Sequence, residues 1–186
     1  MSKISLDPKI EKRIIEKARK DKKEFAPLYT HYKKHIQNFF SFRVGNFNTA
    51  EELTSVTFEK ALKSLDNFQW QGVSFSAWLY RIARNTLIDY YRKESRKTET
   101  SSLDLVQEIP SSDATPHEEV ETMFAEEHLY EVLQHLPPRE KEIIYLKFFD
   151  GYTNKIISEV TGLSETNVGT IVYRTIKKLR EVYKNN

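Results

Sequence analysis

The stretch that decides the fold is TNKIISEVTGLSETNVGTIVYRTIKKLR, residues 153–180. Thr153 can cap a short helix whose Ile156, Ile157 and Val160 face inward. Gly162 then turns the chain tightly into Leu163, and Ser164 caps the next helix. In that second helix Val168, Ile171, Val172, Ile176 and Leu179 recur at three- and four-residue steps and mark a buried side. Glu165, Thr166, Asn167, Thr170 and Arg174 fall toward the other side. Two short capped helices joined by a glycine turn, the second with small polar side chains near its N-terminus, have helix-turn-helix geometry, which fits either a motif that reads duplex DNA in the major groove or a bare helical hairpin with a solvated polar face. Lys177, Lys178 and Arg180 add positive charge behind them.

The same unit extends upstream. Pro137 and Pro138 stop an earlier helix, and Ile143, Ile144, Leu146 and Phe148 or Phe149 give the next helix an apolar face closed by Gly151. A separate helical group precedes it. Asp7 and Pro8 open a basic helix that runs to about Lys23. Phe25, Leu28, Tyr32, Ile36 and Phe39 form the stripe of a second helix that Gly45 and Asn46 end. Thr49 and Glu52 are spaced as a capping box for a third helix ending near Leu65. A fourth runs from Phe75 to about Lys93, with Trp78, Leu79, Ile82, Ala83 and Leu87 inward. Between the third and fourth lies Asp66 to Ser74, a polar loop that holds Phe68 and Trp70. No segment reads as a strand, so the expectation is all-α, with two small helical domains.

Charge is segregated along the 186 residues. Residues 1–93 hold 18 basic and 10 acidic side chains, residues 94–127 hold 2 and 10, and residues 128–186 hold 9 and 7. The net +2 therefore conceals a basic block, an acidic strip and a mildly basic block. The strip, ESRKTETSSLDLVQEIPSSDATP at its start, is rich in Ser, Thr, Pro and acids without apolar period, and reads as a flexible acidic linker. The expected domains are thus 1–93 and 128–186, joined by 94–127, with helix resuming near His117. The 39% hydrophobic content, with ten Tyr, eleven Phe and two Trp, suffices for real cores. A charged start without a signal-peptide core, no apolar run of membrane length and no cysteine fit a cytoplasmic protein.

Enzymatic readings are thin. His31 and His35 are four apart on one helix, as two metal ligands could be, but there is no intervening glutamate motif, glycine-rich phosphate loop or paired carboxylate. The expectation is no catalytic residue, metal, cofactor or small-molecule substrate, with the histidines solvated or packed beside Tyr32. The basic run Lys12, Arg13, Lys17, Arg19, Lys20, Lys22 and Lys23 reads first as a solvated face.

LPPREKEIIYLKFFDGYT followed by SEVTGLSETNVGTIVYRTIKKLR resembles region four of the extracytoplasmic-function sigma factors. AEELTSVTFEKALKSLDNF from Ala50 and FSAWLYRIARNTLIDYYRK from Phe75 resemble region two of the same family, in the right order. The resemblance implies a dissociable subunit of bacterial core RNA polymerase that directs promoter-specific initiation, and an anti-sigma partner. It implies that Glu51, Glu52, Leu53, Ser55 and Phe58 meet the polymerase. It implies that Asn67, Phe68, Trp70, Tyr80, Arg81, Arg84, Asn85 and Arg92 engage the downstream element and the melted non-template strand. Glu165, Thr166, Asn167, Thr170, Tyr173, Arg174 and Lys178 would read the upstream duplex. Ser55 and Val56, Ile156, Asn167, Gly169 and Ile171 depart from the family pattern, so the promoter sequence cannot be copied from relatives. A stand-alone helix-turn-helix regulator is the competing reading and explains only the C-terminal part.

Overall fold

The computed structural model describes residues 6–70, 73–100 and 133–184, and among them every regular element is helical. Contacts divide the chain into two compact units. One holds Lys9–Phe68 and the next helix from Leu79; the other groups Gln69–Trp78 with the C-terminal helices. Residues 101–132, on which most of the expected linker and the start of a helix near His117 fall, lie outside the described residues.

The first unit begins with α1 (Pro8–Lys20), followed by a 3-10 turn (Lys22–Phe25) that Asp21 caps by accepting from the Lys23 amide. Helix α2 (Ala26–Val44) and helix α3 (Phe47–Ser64) pack together and are joined by two residues. Gly45 takes the left-handed conformation at φ 66° and donates its amide to Ser41 O, closing α2. Asn46 then returns to extended backbone and its side chain accepts from the Thr49 amide at 3.0 Å. The cap of α3 is therefore Asn46, and Thr49 lies inside the first turn rather than capping with Glu52. With Gly45 absorbing the reversal in one residue, the helix restarts three positions earlier than the Thr49 to Glu52 spacing predicts.

Leu28, Tyr32, Ile36, Phe39, Phe40 and Phe42 of α2 meet Ala50, Leu53, Phe58 and Ala61 of α3 in the buried set of this unit. A 3-10 turn (Leu65–Asn67) ends α3. Helix α4 (Phe75–Thr100) runs seven residues past the expected end at Lys93. Ser, Thr and charged residues there lack an apolar stripe but contain no glycine or proline to stop a helix already nucleated. Leu79, Tyr80, Ala83 and Leu87 are its buried face. Trp78, expected in the core, is half-buried, its ring tilted on Phe75 at 5.4 Å.

The C-terminal helices are α5 (Pro138–Ile144), α6 (Asn154–Thr161) and α7 (Glu165–Lys184). A π-helical turn (Tyr145–Phe149) follows α5 and advances the register by one residue. Tyr145 is buried and stacked on Phe149 at 5.3 Å, while Phe148 points out at 49% exposure, so of the two expected alternatives it is Phe149 that turns inward, and Tyr145 joins the apolar face. Thr153 caps α6 through the Ile156 amide, Gly162 closes it at φ 76°, and the Ser164 hydroxyl accepts from the Asn167 amide. These caps match the sequence reading. On α7, among the residues whose burial is described, only Val168 and Thr175 are fully buried; Ile171, Val172, Ile176 and Leu179 are half-buried, a wider and shallower face than their spacing predicts.

Candidate nucleic-acid and polymerase interface

In α7 the caps fix the direction of the exposed side chains. Glu165, Thr166, Asn167, Thr170, Tyr173 and Arg174 are all exposed, Tyr173 at 72%. Thr170 donates back to Thr166 O at 2.9 Å, which engages its hydroxyl within the helix. Lys178 is exposed as expected, but its ammonium pairs with Glu140 of α5 at 3.3 Å, and Glu140 also accepts from the Thr175 hydroxyl at 3.2 Å. That lysine ties two helices together. Gly169 explains one departure from the family pattern: a Cβ there would stand 3.3 Å from Asn154 Nδ2 on α6. Asn154 itself accepts from Lys147 Nζ at 3.0 Å. A Cβ at 169 is therefore a tight contact that the Asn154 side chain would have to ease by a few tenths of an ångström.

On α4, Arg81, Asn85 and Arg92 are exposed at helical spacing and Arg84 is half-buried. Ile88, at 37% exposure, completes the same stripe, and Tyr91 stands beside it with its hydroxyl donating to Arg43 O at 2.8 Å. Neither was expected, although the four- and three-residue steps from Arg81 through Asn85 and Ile88 to Arg92 could have found the first. Cations interleaved with apolar and aromatic surface suit a single strand, whose phosphates and base faces both need partners. Lys60 of α3 reaches Asp89 and Thr86 at 3.3 Å and holds α4 in place.

Two expected strand contacts are corrected. Tyr80 is wholly buried, its ring edge-on to Phe39 at 5.5 Å, and Phe68 is 2% exposed. Neither ring offers a face to a base. Both belong to the inward stripe because a ring costs more to expose than a polar loop gains from it. Asn67 is exposed and Trp70 is half-buried; residues 71–72 lie outside the described residues.

The set on α3 expected to meet the polymerase also separates. Glu51, Glu52 and Ser55 are exposed, whereas Leu53 at 6% and Phe58 at 4% are core residues, Phe58 lying edge-on to Tyr29 at 4.8 Å. The outward row continues through Glu59, whose carboxylate is held below its usual range by a hydrogen bond from Lys63. Four-residue steps from Glu51 and Ser55 lead to Glu59. His31 and His35 stand 6.3 Å apart by ring centre, with His31 edge-on to Tyr32 at 4.7 Å, and no group of three metal-ligating side chains occurs among the described residues.

The model of sigma-70 region 2 matches residues 28–97, and that of sigma-70 region 4 matches residues 126–179. RNA polymerase sigma factor SigV of Bacillus subtilis is 30% identical over 158 residues, covering 83% of this chain and 90% of the relative. The ECF sigma factor SigW of the same organism is 27% identical over 179 residues, 92% and 95% of the two chains. The ECF sigma factor BldN of Streptomyces coelicolor is 30% identical over 155 residues, and the chain spans 58% of that relative's length. The fold is shared with the sigma factor RpoE in complex with the anti-sigma factor NepR from Bartonella quintana, at TM-score 0.69 and 22% identity over 87% of this chain and 98% of that one. It is shared also with CnrH in complex with the cytosolic domain of CnrY, at TM-score 0.68 and 21% identity over 93% and 96% of the two chains. The caps, the two motif helices and both matched regions give one answer: the chain belongs to the sigma-70 family of RNA polymerase sigma factors, in its extracytoplasmic-function group.

Proposed function

We propose that this sigma factor divides promoter recognition between its two matched regions, the downstream element falling to residues 1–93 and the upstream element to residues 128–186. It binds core RNA polymerase as a dissociable subunit and directs promoter-specific initiation. The observation that carries this reading is the pairing of two different polar surfaces in one chain. The α7 face of Glu165, Thr166, Asn167, Thr170, Tyr173 and Arg174 follows a capped N-terminus and suits duplex edges. The α4 stripe of Arg81, Arg84, Asn85, Ile88 and Arg92 suits a backbone whose bases are unpaired. A base stacked on Trp70 contributes about 1–3 kcal/mol toward the cost of opening, so melting needs no nucleotide hydrolysis by this subunit.

Glu51, Glu52, Ser55 and Glu59 form the surface that would meet polymerase. The acidic strip at 94–127, repelled by the DNA that both flanking blocks attract, would cross between them on the polymerase. Because RpoE and CnrH are held by partner proteins in their solved structures, an anti-sigma partner is proposed for this chain too, and a cytoplasmic site of action goes with it. A stand-alone regulator would use the residues matching region 4 and leave the match at 28–97 without a role.

Transcription in vitro with core polymerase and a pool of genomic fragments tests the reading. Start sites that share two upstream elements are expected only when this chain is present. Specific duplex binding by the chain alone, with no transcription on adding core enzyme, would refute it.

A further inference from the structure

The region 2 match begins at residue 28, so α1 and the 3-10 turn after it lie ahead of what the family assigns. Two cations of this segment nevertheless converge on one place. Arg19 Nε donates to Leu65 O at 3.4 Å and its terminal nitrogen Nη2 donates to Phe68 O. Lys22 Nζ stands 3.2 Å from the Asp66 carboxylate. These acceptors belong to the turn that ends α3 and to its cap Phe68, where the Leu65 carbonyl also accepts the Phe68 amide at 3.2 Å and the helix dipole is negative. A planar guanidinium can bridge two carbonyls three residues apart in a way that a single ammonium cannot. Phe68 is thus fixed twice, by its buried ring and by its bridged carbonyl, and the chain goes on directly to Gln69 and Trp70.

We infer that Arg19 is a positioning residue for promoter opening: by locking the end of α3 it sets the point from which the chain presents Trp70 to the extruded base. This rests on the strand-capturing role proposed for Trp70. A purely structural Arg19 would instead weaken every function of the first unit in proportion.

The test uses holoenzyme assembled with the parent chain, Arg19→Ala, Arg19→Lys, Trp70→Ala and the Arg19→Ala/Trp70→Ala double variant. Opening is followed by a fluorescent base analogue in the non-template strand of a duplex promoter, closed-complex formation by mobility shift, and folding by thermal denaturation. Arg19→Ala is expected to slow opening about tenfold, the scale of a lost charge-assisted hydrogen bond, with closed-complex affinity unchanged. Arg19→Lys should be nearly as slow, and the double variant no slower than Trp70→Ala. If Arg19→Ala does not fold, Arg19→Lys is judged by the same criteria. Parental opening in the Arg19 variants beside slow opening in Trp70→Ala overturns the inference and leaves the reading of Trp70 intact. Parental opening in Trp70→Ala removes both. Equal losses in closed-complex formation and opening, or additive losses in the double variant, also overturn the inference.

Discussion

The Tyr32 hydroxyl donates to the carboxyl of Glu11, a side chain 1% exposed that no cation pairs with among the described residues. Burial raises its pKa from 4.5 to about 7, with the Tyr32 hydrogen bond working the other way. The folded chain therefore holds this proton more tightly than the unfolded one. Its contribution to stability is complete below the unfolded value and is lost as pH rises through about 7. Other carboxylates have their own pH dependence, so the quantity to measure is the difference between the parent and Glu11→Gln. In urea denaturation the parent should lose on the order of 2 kcal/mol relative to the variant between about pH 5 and about pH 8. A difference that stays flat, or that grows in the parent's favour, would show that the carboxyl is charged in the fold.

Phe68 and Trp70 are two residues apart and should fail in different ways. Phe68→Ala empties a core site and should cost about 3–5 kcal/mol of stability, lowering all activities together. Trp70→Ala should leave the denaturation midpoint nearly unchanged and slow promoter opening, with closed-complex formation spared. Thermal denaturation beside a permanganate footprint of the melted strand separates the two; a selective opening defect in Phe68→Ala would contradict its assignment to the core.

The two residues also show what sequence can and cannot give. The helices of the described residues, the caps Thr153 and Ser164 and the closing glycines were legible because each depends on a few neighbours. Burial of Phe68, Tyr80, Leu53 and Phe58 was not, since aromatic and apolar residues beside polar ones fit a core and a contact surface equally well until the packing partners are known. The cap at Asn46 was missed because Thr49 and Glu52 imitate a capping box, and the choice depended on φ at Gly45. Arg19 and Lys22 looked like part of a solvated basic run because their partners lie more than forty residues away.

The outer row of α3 makes a matching prediction for polymerase. Exchanging Glu51, Glu52 and Ser55 together for alanine should weaken core binding about tenfold or more without changing thermal stability. Leu53→Ala should do the reverse, costing about 2–5 kcal/mol of stability through its cavity. Titration of labelled chain with core enzyme reads the first, urea denaturation the second. Unchanged core affinity in the triple variant would move the contact to another face.

Gly169 sits in a helix where alanine is intrinsically better by about 1 kcal/mol. Against that stands the 3.3 Å approach to Asn154 Nδ2, a group held in turn by Lys147. Gly169→Ala should therefore gain less than about 0.5 kcal/mol in the parent but close to the full amount beside Asn154→Ala. Urea denaturation of the four chains gives the coupling directly. Equal gains in both backgrounds would mean that Asn154 moves aside freely and that glycine is not needed for packing.

On α7 the exposed polar residues should divide by chemistry. Asn167, near the capped N-terminus, carries an amide able to bond a base edge in two places, so Asn167→Ala should relax preference at one position of the upstream element by about 1–3 kcal/mol. Arg174, two turns further on, should contact phosphate. Arg174→Ala should weaken all promoters alike and reduce the salt slope of binding by about one. Lys178 differs from both because its ammonium is engaged by Glu140, and the pair is partly exposed, so Lys178→Ala should cost at most about 1 kcal/mol of stability. Selection of promoters from a randomised upstream element, repeated at several salt concentrations, measures the first two and any change of preference in Lys178→Ala, and urea denaturation measures its stability. A change of preferred base in Lys178→Ala, or a fixed preference in Asn167→Ala, would show that the helix presents a different face to the groove.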